Sequence, residues 1–444
     1  MIESFEKGSL KDITPSRHRV LQVCVLACLL NLILVGMLAG TGVLKSAEQG
    51  DIQYTNAEET PTGNITVPSD ADYRFVIERP TDADAFYNAV VRVRSGGPLF
   101  NTWPLYNVQE FHYHPFTFYF FSGISIFGYI VFKILLLSLS AGATVAGTWL
   151  LLDTETDATN VELSRDHLVG LSVLSLGYAP MVANFKIGQV TPFAYLCAAV
   201  AWWSYRHSSH ASGGAAIALA TLVKPYWAAS AIIFASPYDG RWRGILGFGL
   251  AIALANAVSV ATFGLDTTTQ YYAIIADALL GESGGVGPIS TWSVEALNVF
   301  FFLGEYAVVA RLLTAIPVLW MFGQYARRRD ADPALYALSF LLLFTVLAST
   351  TLIDLGLLLA AFIVFGVHTY RAGGWPFAIL AGAFLLTHVH TYAMEVVVGS
   401  GHTNLVGLLN AHPALTLLQP GVYGVLSFYL LALWWARPPA SGTP

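Results

Sequence analysis

Long apolar runs separated by short polar loops fill nearly the whole chain of 444 residues. Runs of about 18 or more apolar residues are the mark of helices that cross a bilayer, whose hydrocarbon core takes about 20 residues. Closed β-barrels are the other structure that satisfies a backbone in lipid, but their segments are short and alternate. The pattern predicts spans at 19–40, 130–152, 167–185, 189–205, 211–224, 225–238, 244–263, 303–325, 333–350, 354–369, 375–391 and 414–436. The expected fold is therefore an all-α polytopic membrane protein of about 12 transmembrane helices. The first run, Val20 to Gly40, is long enough to span and no small-residue cleavage site follows, so it reads as a retained helix. The pair 211–224 and 225–238 is short for two spans, and Lys224-Pro225 breaks it into a kinked or re-entrant hairpin.

Composition agrees. The chain is 55% hydrophobic and 11% charged, whereas about a quarter of an ordinary globular chain is charged. A net charge of −6 gives no footing for nucleic acid. Cys24, Cys28 and Cys197 sit in apolar segments, without disulfide or zinc spacing, and read as small buried hydrophobes.

Charge sets the expected orientation, because loops rich in Lys and Arg stay in the cytoplasm. Arg17 and Arg19, Arg206, Arg241 and Arg243, Arg327 to Arg329, Arg371 and Arg437 mark one side, with both termini. Residues 41–115, the Asn184–Gln189 turn, Lys224, 264–302, 349–354 and 392–413 then fall outside the cell membrane. Loops 264–302 and 392–413 contain no Lys or Arg. The segment 116–129 is read as an interfacial helix, since a second span there would invert every later loop. Its aromatic residues, Phe116, Phe118, Tyr119, Phe120 and Phe121, suit the headgroup boundary. The chain is thus one integral-membrane domain over 1–444, and 41–129 is its large first extracytoplasmic loop, carrying short interfacial helices.

That loop holds the candidate chemistry. Asn64-Ile65-Thr66 is a glycosylation sequon. Ala83, Phe86, Tyr87, Ala89, Val90 and Val93 repeat at helical spacing before Gly96-Gly97-Pro98, so Asp82 opens a short amphipathic helix. A carboxylate there is either an N-cap or a base poised to take a proton from a hydroxyl. Asp84, two residues on, points to another face, which argues against a shared metal. His388, His390, His402 and His412, with Glu395, are read as interfacial or substrate-lining residues rather than a zinc site, because no His-Glu-x-x-His motif accompanies them. No metal is expected.

The motifs resemble the GT-C superfamily of integral-membrane glycosyltransferases, specifically glycosyltransferase family 87, which contains polyprenyl-phosphate-mannose-dependent α-mannosyltransferases. The resemblance runs through Asp82-Ala-Asp-Ala-Phe86-Tyr87-Asn-Ala89, Gly96-Gly97-Pro98, Phe111-His-Tyr113-His114-Pro115, Gly188-Gln189-Val-Thr191, Lys224-Pro225, and Trp292 to Asn298 with Arg311. It covers about residues 75 to 360. His114 stands where the family has the first of two prolines, and Ser349 to Asp354 lacks the histidine of the family's outer turn.

The resemblance implies a polyprenyl-phosphate sugar as donor, mannose in the first place, and a lipid or glycan acceptor at the membrane lipid surface. Asp82 would act as general base in an inverting displacement, with Lys224 meeting the leaving phosphate. Lys133 lies nearer its helix start and reads as a snorkelling side chain. Arg311, mid-helix, either pairs internally, for instance with Glu305, or meets phosphate. Gln189, Asn184 and Asn298 would hydrogen-bond sugar hydroxyls, and Tyr87, Tyr113 and Trp292 would stack on sugar faces. Asp84 and His114 complete the substrate-binding set. No cofactor is required. The competing readings are a lipid or small-solute transporter or flippase, suggested by the broken helix pair, and a membrane protein that binds the lipid-linked sugar without turnover.

Overall fold

The computed structural model describes residues 16–48, 54–55, 74–75, 82–100, 113–225, 227–228, 231, 240–280, 309, 313, 316–317, 319–320, 354–372, 374–389 and 420–435. Helix α1 is Arg17–Glu48 and α2 is Asp82–Arg94. They are followed by α3 (Phe118–Ser125), α4 (Tyr129–Thr159), α5 (Arg165–Leu174) and α6 (Ala179–Ile187). Next come α7 (Thr191–Arg206), α8 (His210–Val223) and α9 (Arg241–Leu280). The last described helices are α10 (Leu358–Ala372), α11 (Trp375–His388) and α12 (Pro420–Trp435). One two-residue antiparallel ladder, β1 (Tyr54–Thr55) on β2 (Arg74–Phe75), interrupts the otherwise helical architecture.

Local breaks explain where apolar runs stop being single helices. Gly128, at φ 84°, separates α3 from α4. At eight residues, α3 is about 12 Å long and too short to cross a bilayer. Asn160 closes α4 in the left-handed conformation. The run expected as one span at 167–185 is bent by 66° between Arg165–Gly177 and Ala179–Phe185. The backbone turns there through a 3₁₀ segment, Ser175–Gly177, and restarts with Pro180 in the first turn of α6.

Among the described residues, two helices are long and apolar enough to cross a membrane alone, Tyr129–Thr159 and Arg241–Ala276, or three spans if the bent pair counts as one. Other apolar helices among the described residues, such as His210–Val223 and Trp375–His388, are shorter, at 10–17 residues. Residues 264–280, expected in a loop, continue α9 past a non-helical Gly264. Polarity there belongs to an exposed helix surface rather than to a turn. Predicted spans 303–325 and 333–350 fall almost wholly outside the described residues, as does most of 225–238.

The core is aromatic and small-residue packing between helices. Trp202 and Tyr195 of α7, Tyr178, Phe365 of α10 and Phe428 of α12 are fully buried in one cluster. α8 and α9 meet at their glycines. A Cβ on Gly214 would sit 1.9 Å from the Gly244 carbonyl oxygen, and one on Gly247 would sit 2.1 Å from that of Ala211. Such close backbone approach is how helices associate where lipid removes the hydrophobic drive. The outer rows are greasy instead: Ile130, Ile134 and Leu137 on α4, and Leu246, Leu250 and Leu254 on α9, are exposed. Apolar rows of that length suit a hydrocarbon solvent and not water.

The bundle has two distinct ends. α4, α7 and α10 finish together, where Glu155, Arg206 and His368 meet. Arg17 of α1 donates to the Tyr370 carbonyl at the same end, and His210 of α8 packs on Gly240 at the start of α9. At the other end lie the starts of α2, α4 and α7 and the finish of α8 at Lys224.

Candidate functional site

α2 forms because its apolar residues fall on one helical face. Ala83, Phe86, Ala89 and Val90 are buried. Phe86 stacks on Phe121 of α3 at 4.1 Å between centroids and takes the Tyr113 ring edge-on at 4.9 Å. Arg92 folds back on the outgoing chain, donating to the Pro98 and Leu99 carbonyls at 2.6 Å each, and burial holds its guanidinium below the usual range. Arg94 donates to the Ser122 carbonyl at 2.8 Å, tying α2 to α3.

That anchoring fixes Asp82 at the N-terminus of α2, where the helix dipole favours a carboxylate. Its partner comes from the turn between α6 and α7. Gly188 ends α6 at φ 69°, and the Gln189 N–H bonds to the Asn184 carbonyl at 2.9 Å. A Cβ at Gly188 would come within 2.6 Å of the Ala83 Cβ, so glycine lets the turn lie directly against the start of α2. Gln189 Nε2 donates a hydrogen bond to Asp82 Oδ2. Gln189 Oε1 accepts from the Tyr113 hydroxyl at 2.9 Å. Three residues singled out from distant parts of the chain thus form one chain, Tyr113 to Gln189 to Asp82. Val190 and Val223 pack in the same apolar cluster as Ala83 and Phe86, which brings the end of α8, and Lys224 directly after it, alongside. Lys224 leaves the helix in extended conformation, φ −137° and ψ 101°.

Other expected site residues make contacts of their own. Tyr87 packs against Tyr129 at 5.3 Å and Phe132 at 5.5 Å on α4, and Lys133 lies over the Tyr129 ring at 4.6 Å. These rings lock α2 to α4. His114 is fully buried. Its Nδ1 accepts from the Phe116 N–H at 3.2 Å, capping the 3₁₀ turn Pro115–Thr117. That fixes the tautomer, so Nε2 donates to Asn256 Oδ1 at 3.4 Å. Asn256 Oδ1 also accepts from Tyr272 at 2.8 Å. Burial pushes the imidazole down to about 4. His114 is thus a neutral pin between the loop and α9. Asn184 is buried, donating to the Pro180 carbonyl at 2.7 Å. His388 packs on Phe384 and Tyr178. Arg311, Trp292, Asn298, Glu305, His390, His402, His412 and Glu395 lie outside the described residues, as does the Asp84 side chain. No group of metal-ligating side chains occurs among the described residues.

Sequence reasoning missed one cluster. Glu155 of α4 is fully buried and accepts from Trp202 at 2.5 Å. It meets Arg206 at 3.4 Å and His368 at 2.6 Å, while Arg206 stacks over Trp202 at 4.8 Å. The available signal was Trp202 and Arg206, four apart on one face of α7, with a carboxylate ending an apolar run.

Comparison with known proteins adds one finding. Residues 111–350, more than half of the chain, match the family model of glycosyltransferase family 87. The match contains Tyr113, Gln189 and Lys224, and Asp82 precedes it. No curated protein and no solved structure matches the chain.

Proposed function

Because the chain belongs to glycosyltransferase family 87, a family of membrane glycosyltransferases, we propose that it moves a sugar from a polyprenyl-phosphate donor to a lipid or glycan acceptor, with Asp82 as base. Mannose is the sugar favoured by the motif resemblance. The reaction is a single displacement. The acceptor oxygen bonds to the anomeric carbon as the bond from that carbon to the phosphate oxygen breaks. The electron pair leaves with the polyprenyl phosphate, the acceptor proton goes to the Asp82 carboxylate, and the anomeric configuration inverts. Lys224 meets the charge that grows on the departing phosphate, a role a fixed cation fills without a metal.

The observation that carries this reading is the hydrogen bond from Gln189 to Asp82, backed by Tyr113. The Gln189 amide, itself held by the Tyr113 hydroxyl, orients the carboxylate at the start of α2. Gln189 is then a positioning residue rather than a sugar ligand. The site end of the bundle is assigned to the extracytoplasmic side, because the opposite end gathers Arg17, Arg206, Arg241 and Arg371.

The test is a transfer assay in membranes with a panel of polyprenyl-phosphate sugars. Asp82→Asn is expected to lower the rate by about 10²- to 10⁴-fold, the span of general-base catalysis, with insertion unchanged. Full activity in that variant removes Asp82 as base. Donor binding without turnover in the wild type supports the binding-only alternative instead.

A further inference from the structure

A second site lies at the end of the bundle away from Asp82. α1, α4, α5, α10 and α11 line an open cavity of about 220 Å³. Its walls are two helical stripes facing each other. Leu21, Cys24, Val25 and Cys28 line it from α1, and Ile363, Gly366, Val367 and Tyr370 from α10. Two of the hydroxyls beside it, those of Thr148 and Ser175, are already engaged. Thr148 bonds to Ser175 at 3.0 Å and to Tyr195 at 2.7 Å. The remaining wall is almost wholly apolar, so water there finds few partners and an apolar occupant is favoured.

The stripes run on into cations. Arg17 is one turn before Leu21, and Arg371 is one turn after Val367, so both continue the cavity faces to its rim. Arg17, Arg19 and Arg371 are exposed. Arg17 caps α10 through the Tyr370 carbonyl at 3.0 Å, which uses one of the two terminal nitrogens of a group with five donors. Carboxylates occur on the far rim, where Glu162 and Asp166 flank the wall residues Val161 and Leu163. An anionic headgroup is therefore drawn to the α1–α10 side. Along α4 the cavity residue Leu152 is about 35 Å from Tyr129 at the Asp82 end. That is the thickness of a bilayer core, so this is not the donor position proposed above.

We propose that this cavity holds the hydrocarbon chain of a resident phosphate-bearing membrane lipid, with the phosphate on Arg17 and Arg371. Basic pockets between transmembrane helices recognise lipid headgroups in this way. The inference stands independently of the transfer reaction, since it uses none of the residues assigned to it.

Gly366 supplies a clean test. It lines the cavity, and a Cβ built there meets nothing within 4 Å. A larger side chain fills the space without moving the backbone. The full chain is purified in mild detergent from membranes of known phospholipid composition and examined by native mass spectrometry. Wild type is expected to retain a phospholipid adduct, and Gly366→Phe to lose it. The double variant Arg17→Ala, Arg371→Ala is expected to retain roughly 10- to 30-fold less. Added phospholipid should raise the thermal midpoint of wild type and leave that of Gly366→Phe unchanged. Gly366→Leu repeats the measurement if the bulkier ring compromises folding. An adduct that survives in both Gly366 variants overturns the proposal. So does an adduct indifferent to the arginines, one made only of detergent, or one that is the sugar donor itself.

Discussion

At the residue scale, the arrangement around Gln189 separates orienting from reacting groups. Gln189→Leu removes the hydrogen bond to Asp82 while keeping the volume. Transfer should fall about 10-fold in kcat with KM nearly unchanged, the pattern of lost positioning rather than lost binding. Steady-state kinetics on a lipid-linked donor checks it, and a rise in KM alone would return Gln189 to sugar binding. His114 gives a pH prediction. Its imidazole is pushed from 6.5 down to about 4 in the folded protein. Above about 6.5 both folded and unfolded forms are neutral, and no dependence arises. As pH falls from 6.5 towards 4 the unfolded chain binds a proton that the folded one refuses, and stability drops by about 1.4 kcal/mol per unit. Below about 4 both forms are charged and the loss levels off. His114→Asn keeps an N-cap acceptor for Phe116, so its thermal midpoint should fall less than wild type between pH 7 and 4.5. The candidacy of Asp82, Gln189 and Tyr113 was legible in the chain; the burial of His114 was not, because one histidine in an aromatic loop looks the same whether it is capped or exposed.

At the element scale, glycines decide which helices touch. Gly188 combines a φ of 69° with contact against Ala83. Gly188→Ala should cost about 1–2 kcal/mol in backbone strain and push the turn off α2. Transfer should therefore suffer more than the thermal midpoint does, and parallel measurement of both distinguishes the two. Gly247→Leu, at the α8–α9 crossing, should do the reverse and destabilise the bundle outright, since a side chain cannot fit 2.1 Å from a carbonyl. Failure to purify as a monodisperse species in detergent is the readout. Helix existence was readable from apolar runs. Helix ends were readable in part: the expected spans 130–152 and 244–263 start or stop beside Gly128 and Gly264, where the backbone breaks, but the bend inside 167–185 was hidden, because hydrophobicity continues through it.

At the scale of the whole molecule, Glu155 holds the end remote from Asp82 by joining α4, α7 and α10. Glu155→Ala leaves Arg206 without its carboxylate and should cost about 3–5 kcal/mol, the usual penalty for removing half of a buried pair. Glu155→Gln, which keeps an acceptor for Trp202, should cost less, as thermal unfolding in detergent would show. Sidedness is open to a direct check. In a background lacking Cys24, Cys28 and Cys197, Ser95→Cys should react with an impermeant thiol reagent on intact cells, and Ser208→Cys only after permeabilisation. Both positions are exposed, at opposite ends of the bundle. Reversed labelling would move the proposed site to the cytoplasm.

The sequence by itself determined the solvent and the alphabet of the fold. Apolar runs with few charges dictate helices in lipid, because no other local structure satisfies the backbone there. It also carried the residues of the candidate site, since their motifs are local. Only the tertiary structure decided that Asp82, Gln189 and Tyr113 share hydrogen bonds, that Tyr87 lies against α4 and His114 against α9, and that Glu155 meets Arg206 and His368. Those outcomes depend on contacts between residues from 42 to more than 200 positions apart, which no local period records. They rest on a few glycines that permit two backbones to approach, and that permission exists only once the partner helix is in place.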